Sequence, residues 1–254
     1  MTYTKRRVLA LDFDGVIVDS IKECYVSGYN AFQDYMNMPN KIYKSSQISQ
    51  DNFKQFELLR EYVNFGQDYV FIFEIIKSGV HINHQIDFDD FIQDHEHLSS
   101  KFDELFYQER LILFNLHYPL WIELNPFYDG LQNLLKNPPK GVSVYIISTK
   151  RSEFIDAILK ENNILAYDEH IYASNEEYTK AMIVKEILKI ASVKPEDFYF
   201  VDDQIKNVAQ VAQTQVNSIL ALWGYNGNTQ RLDAITQGLL PMSLEDFHEL
   251  FQPN

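Results

Sequence analysis

The chain has 254 residues, 46% of them hydrophobic and 23% charged, with a formal net charge of −14. That length supports one large domain or two modest ones with a true core, and the balance is that of a globular protein. So acidic a surface repels nucleic-acid backbones and anionic lipid headgroups, which excludes both as expected partners. No apolar run approaches the length of a membrane-spanning helix. The opening MTYTKRRVLALDFDG has a basic start, but acidic residues interrupt its short apolar stretch at once, unlike a secretory signal. Cys24 is the only cysteine, so no internal disulfide forms, and a reducing, cytoplasmic setting is expected.

Taken in chain order, the first element is RRVLALD (6–12), a nearly continuous hydrophobic run expected to be a central strand covered on both faces. From 21 to 125 the texture changes to Phe, Tyr, Asn and Gln with apolar residues at helical spacing. Phe88, Phe91 and Ile92, then Leu98, Phe102, Leu105 and Phe106, trace such a face. This stretch is read as an all-helical insertion, and its aromatics as core. NPFYDG (125–130), punctuated by Pro and Gly, returns the chain to its first texture. Four further runs follow: VSVYIIS (142–148), EHIYAS (169–174), DFYFVD (197–202) and NSILALW (217–223), each succeeded by a polar or helical stretch. Ser243, with Asp246 three residues later, opens a last helix expected to pack outside the sheet. The expected fold is α/β, a Rossmann-like parallel sheet formed by 1–20 and 126–254, with 21–125 as a helical domain inserted into it.

The chemistry concentrates in LALDFDGVIVDS (9–20). Strand periodicity would put Asp12 and Asp14 on one side at a strand's C-terminal end, where open α/β sheets bind ligands. Two carboxylates held together call for a cation or a shared proton. Gly15 permits a turn that other residues resist. YIISTKR (145–151) ends a second strand in Ser148 and Thr149, ahead of a helix whose N-terminus favours anions. FYFVDDQIKNV (198–208) ends another in the pair Asp202 and Asp203.

These segments, in this order, resemble the motifs of the haloacid dehalogenase superfamily of phosphatases and mutases. The resemblance covers 5–20 and 126–223, including LALWGYNG (220–227), and makes 21–125 the family's helical cap. It implies Asp12 as nucleophile, Asp14 as acid and base, and Ser148, with Thr149, as phosphate contacts. Lys180 is the expected phosphate-site lysine, because it follows the third strand and opens a helix; Lys185 is its competitor. Mg2+ is the implied cofactor, held by Asp12, Asp203, the main-chain carbonyl of Asp14, and Asp202 directly or through water. Asn207 departs from the pattern, which usually has an acid there. A small phosphorylated metabolite is the implied substrate. Close alternatives are a sugar-phosphate mutase and a phosphonate hydrolase, while Asp14 argues against a dehalogenase. A non-catalytic binding protein on the same scaffold is the alternative from another class. The histidines of HINH (81–84) and DHEHL (94–98) lack the i, i+4 spacing of a helical metal pair and are read as surface residues. Asp19 is read as support for the turn into the insertion, and Cys24 as a small buried hydrophobe.

Overall fold

The computed structural model describes residues 6–165 and 168–251. The segment Ser20–Pro126 forms one compact unit, and the chain on either side of it forms another.

The flanking unit is built on a six-stranded parallel sheet. In chain order its strands are β1 (Arg7–Leu11), β2 (Val142–Ser148), β3 (Ile171–Ala173), β4 (Phe198–Asp202), β5 (Asn217–Ala221) and β6 (Leu240–Met242). Their spatial order is β3-β2-β1-β4-β5-β6, so β1 is central, between β2 and β4. Val8, Ala10, Tyr145, Ile147, Phe198 and Phe200 form one face of the core, closed by Ile183, Val184 and Ile187 of a covering helix and by Val211 of another. Leu9 and Leu11, on the opposite face of β1, are equally inaccessible to solvent. Burial on both faces is why this strand reads as an unbroken apolar run.

β6 is a strand that the residue pattern does not signal. It is three residues long and contains Pro241. Proline cannot donate to a ladder, so it is confined to edge strands, and β6 lies at the sheet edge beside β5. The Ser243 hydroxyl accepts the Asp246 amide proton at 3.1 Å and donates to the Asp246 carboxylate at 2.6 Å. The following helix buries Phe247 and Phe251, the latter edge-on to Tyr199 of β4.

The Ser20–Pro126 unit contains six α-helices: α1 (Ile21–Tyr35), α2 (Gln50–Arg60), α3 (Asp68–Ser78), α4 (Gln85–Asp94), α5 (Ser99–Leu116) and α6 (Tyr118–Glu123). Its aromatic residues fill its core. Tyr25 meets Phe56 and Phe73 edge-on at 5.1 and 5.2 Å, and Phe71 meets Phe102 at 4.7 Å. His81 and His84 are exposed, and His95 stacks on Phe91 at 4.3 Å.

A buried ion pair crosses this core. Arg110 on α5 grips Glu23 on α1 with two bonds of 2.9 and 2.7 Å, and Ser27 donates to the same carboxylate at 2.8 Å. Cys24 is buried as expected, but its Sγ is 3.5 Å from the Arg110 guanidinium rather than in a wholly apolar setting. Arg110→Met would strand the fully buried Glu23 charge. A loss of about 3–5 kcal/mol is expected on chemical denaturation, against well under 1 kcal/mol for breaking the exposed Lys101–Glu104 pair.

Asp68 opens α3 by accepting the amides of Asn64 and Phe65 at 2.8 and 2.9 Å. Burial pushes its carboxyl up to about 6, against the pull of those two amides. The folded state therefore holds this proton more tightly than the unfolded chain does. The associated stability is complete below the unfolded value of 3.8 and is lost as pH rises through about 6. Asp68→Asn keeps an acceptor without the charge. Its stability relative to the parent should rise between pH 4 and pH 7, by roughly 2 kcal/mol, in urea melts at both pH values.

Candidate active site

All strands of a parallel sheet end on the same side, so the tips of β1, β2 and β4 bring their terminal residues together. Asp12 follows β1, and its amide donates to the Val201 carbonyl of β4 at 2.9 Å, which extends the pairing one residue beyond the strand. Its carboxylate accepts the Phe13 amide at 2.7 Å and bonds to the hydroxyl of Ser148, the last residue of β2. Asp202 ends β4, and Asp203 follows it. One carboxylate oxygen from each of Asp12, Asp202 and Asp203 lies within 4.8 Å of the others, with all three residues buried.

Among its described residues the flanking unit has six α-helices of its own: α7 (Leu131–Lys136), α8 (Ser152–Glu161), α9 (Lys180–Ala191), α10 (Ile205–Ala212), α11 (Asn228–Thr236) and α12 (Leu244–Phe251). Lys180 is the first residue of α9, whose N-cap Thr179 accepts the Met182 amide. Its Nζ, buried at 4% exposure, lies 3.0 Å from Asp12 and 2.6 Å from Asp202. Lys185, one and a half turns on, is exposed.

Three carboxylates and one ammonium leave a buried excess of negative charge. Burial pushes the Asp12 carboxyl up to about 6; Lys180 opposes the rise, and Asp202 adds to it. For Lys180, burial pulls the ammonium down. The charges of Asp12 and Asp202 more than reverse this and hold it above the ordinary lysine range. A divalent cation fits this donor set. The ligand atoms are all carboxylate oxygens, converge in one place, and carry two charges more than Lys180 offsets.

Other residues of the motifs occupy distinct surroundings. β1 stops at Leu11, so the turn rather than the strand pleat places Asp14: Gly15 has φ +81°, and its amide returns to the Val18 carbonyl at 2.9 Å. The Asp14 carboxylate receives Lys150 Nζ at 3.1 and 3.4 Å. Lys150 is buried, whereas Thr149 beside it is exposed. Lys150 is a buried cation two residues past Ser148, and nothing in the residues around it separates it from a solvated lysine. Asn207 donates to both oxygens of Asp202 at 3.2 Å, and the Gln204 amide adds a third bond at 2.8 Å. The residue that departs from the acidic pattern thus supports Asp202. An aspartate there would face it as a second anion.

The family model of haloacid dehalogenase-like hydrolases matches residues 7–213. The chain belongs to that family of hydrolases. No curated protein matches its sequence. Its fold is shared with a haloacid dehalogenase-like hydrolase family protein of Streptococcus pneumoniae, at TM-score 0.63 and 14% identity over 96% of this chain and 97% of that one. It is shared equally with a predicted phosphatase from Clostridium acetobutylicum, at TM-score 0.61 and 15% identity over 97% and 98%. A predicted phosphoglycolate phosphatase from Haemophilus somnus gives TM-score 0.63 and 12% identity over 98% and 99%.

Proposed function

We propose that the chain is a magnesium-dependent phosphatase of small phosphate monoesters that works through an aspartyl-phosphate on Asp12. The observation that carries this reading is the buried group of Asp12, Asp202 and Asp203 with Lys180 bonded between two of them. The phosphatase descriptions of two fold neighbours agree with it. Asp12 attacks phosphorus in line while the bond to the ester oxygen breaks, which divides one difficult hydrolysis into two steps. Asp14 gives a proton to the departing oxygen and then takes one from the water that cleaves the acyl-phosphate. Ser148 and Lys180, with Thr149 at the rim, bind the phosphoryl oxygens, where most of the catalysis of phosphoryl transfer resides. Asp12, Asp203 and the Asp14 main-chain carbonyl would hold Mg2+, with Asp202 in direct or water-mediated contact. The ion, when bound, neutralises phosphoryl charge and fixes the phosphoryl group against Asp12.

In this reading 1–20 with 126–254 is the catalytic core, and 21–125 is a cap that excludes bulk water and selects the substrate. No helix of the described residues is long and apolar enough to cross a membrane. A phosphorylated metabolite of the cytoplasm is the proposed substrate. Phosphate release from a panel of sugar, nucleotide and short-chain acid phosphates tests it. Release from at least one ester with magnesium, falling to background with chelator, is expected; no release from any ester with magnesium present contradicts it.

A further inference from the structure

The loop after β5, within the stretch LALWGYNG (220–227), holds side chains to which the proposed mechanism gives no role. Asn226 is buried, at 6% exposure, and its amide is engaged at both ends. Its Nδ2 donates to the Asp203 carbonyl at 3.1 Å and to the Ala221 carbonyl at 2.7 Å, and its Oδ1 accepts Arg231 Nε at 2.9 Å. Arg231 on α11 also reaches the Leu222 carbonyl at 2.9 Å, so both ends of the loop are tied to one helix. The next residue back, Tyr225, presents its amide to Asp203 Oδ2 at 2.9 Å. Space is as tightly controlled as bonding. A Cβ on Gly224 would overlap Asp203 Cβ and the Gly15 carbonyl, and one on Gly15 would overlap the Asp203 carboxylate.

We infer that Asn226, braced by Arg231, is a positioning residue for the metal-ligating carboxylate of Asp203. The argument rests on the proposed metal role of Asp203. A carboxylate at the end of a strand is free to rotate about two side-chain bonds. Here one oxygen is fixed by the Tyr225 amide, and that amide is aimed by the bonds of the adjoining Asn226 to the Asp203 and Ala221 carbonyls. Removing the Asn226 side chain leaves the Asp203 and Ala221 carbonyls without this donor and lets the Tyr225 amide turn away, so the ion binds a site that must first be ordered.

The test is calorimetric titration of Mg2+ into the full chain and into Asn226→Ala and Arg231→Met, with metal-free melting curves alongside. Asn226→Ala should weaken Mg2+ binding about tenfold, the low end for supporting residues at metal sites, and Arg231→Met, one bond further out, by less, roughly two- to fivefold. Arg231 is only half-buried, so its variant decides the matter if Asn226→Ala does not fold. Affinity within twofold of the parent in the folded variants overturns the inference, even if both melt at lower temperature, because a purely structural brace predicts that result. A parent that binds no Mg2+ overturns it as well. Mg2+ binding by the parent without phosphate release would instead count against the phosphatase reading alone.

Discussion

Asp12→Asn should lose phosphate release by roughly 10^4- to 10^6-fold while the chain stays folded, on the scale of nucleophile removal in other covalent enzymes. The substitution is close to isosteric. The amide oxygen can still accept the Phe13 amide at the 2.7 Å position that Asp12 Oδ1 occupies. What disappears is the anion proposed to attack phosphorus, which is also one of the three buried carboxylates. Because burial holds the parent carboxyl up at about 6, its ionised form is a cost to the metal-free fold at neutral pH. The metal-free variant should therefore melt no lower than the parent. Lost activity with retained or raised melting temperature separates a chemical role from a structural one. Residual activity above a few per cent would remove Asp12 from the nucleophile's place.

Lys180→Met should act in the opposite sense on stability. Its ammonium is 2.6 Å from Asp202 and 3.0 Å from Asp12, at 4% exposure. Methionine is similar in length but removes the cation bonded between the buried Asp12 and Asp202 carboxylates. Breaking a buried pair in this way costs about 3–5 kcal/mol, so the metal-free melting temperature should fall clearly. Turnover should fall roughly 10^3-fold, because the proposed donor to the phosphoryl oxygens is lost with its charge. Magnesium should nevertheless bind at least as tightly as in the parent, since the pocket gains negative charge. Added magnesium should then restore melting temperature by more than it does in the parent. Lys185→Met, at an exposed position on the same helix, should leave all three measurements unchanged.

Much of this architecture was legible in the residues. β1, β2 and β4 read as strands because burial on both faces demands continuous hydrophobics, and RVLAL, VSVYIIS and FYFVD supply them. β6 did not, because three residues with a proline at the centre carry no period. Asp12, Ser148, Asp202 and Asp203 could be named because each stands at a strand tip, a place that the apolar runs define. Lys150 and Asn226 could not. Lys150 is buried against Asp14 by a pairing 136 residues apart in sequence, and no local pattern distinguishes it from a solvated lysine. Asn226 sits in a loop whose polar composition reads as solvent-facing, yet its amide is enclosed between β5, Asp203 and α11. Asn207 was legible as a departure but not as a support, since only its geometry shows both Asp202 oxygens within its reach. Local periodicity reports what a residue's own element buries; it does not report what a distant element brings to it.

The most direct measurement is chemical trapping of the covalent intermediate. An acyl-phosphate on an aspartate is reduced by borohydride to homoserine, a change that peptide mass spectrometry locates to one residue. Acid-quenching the enzyme during turnover of a good ester and reducing it should place homoserine at position 12, with none in enzyme incubated without ester. Homoserine at another carboxylate, or unmodified Asp12 in enzyme that is turning over, would show that phosphorus never becomes bonded to this side chain.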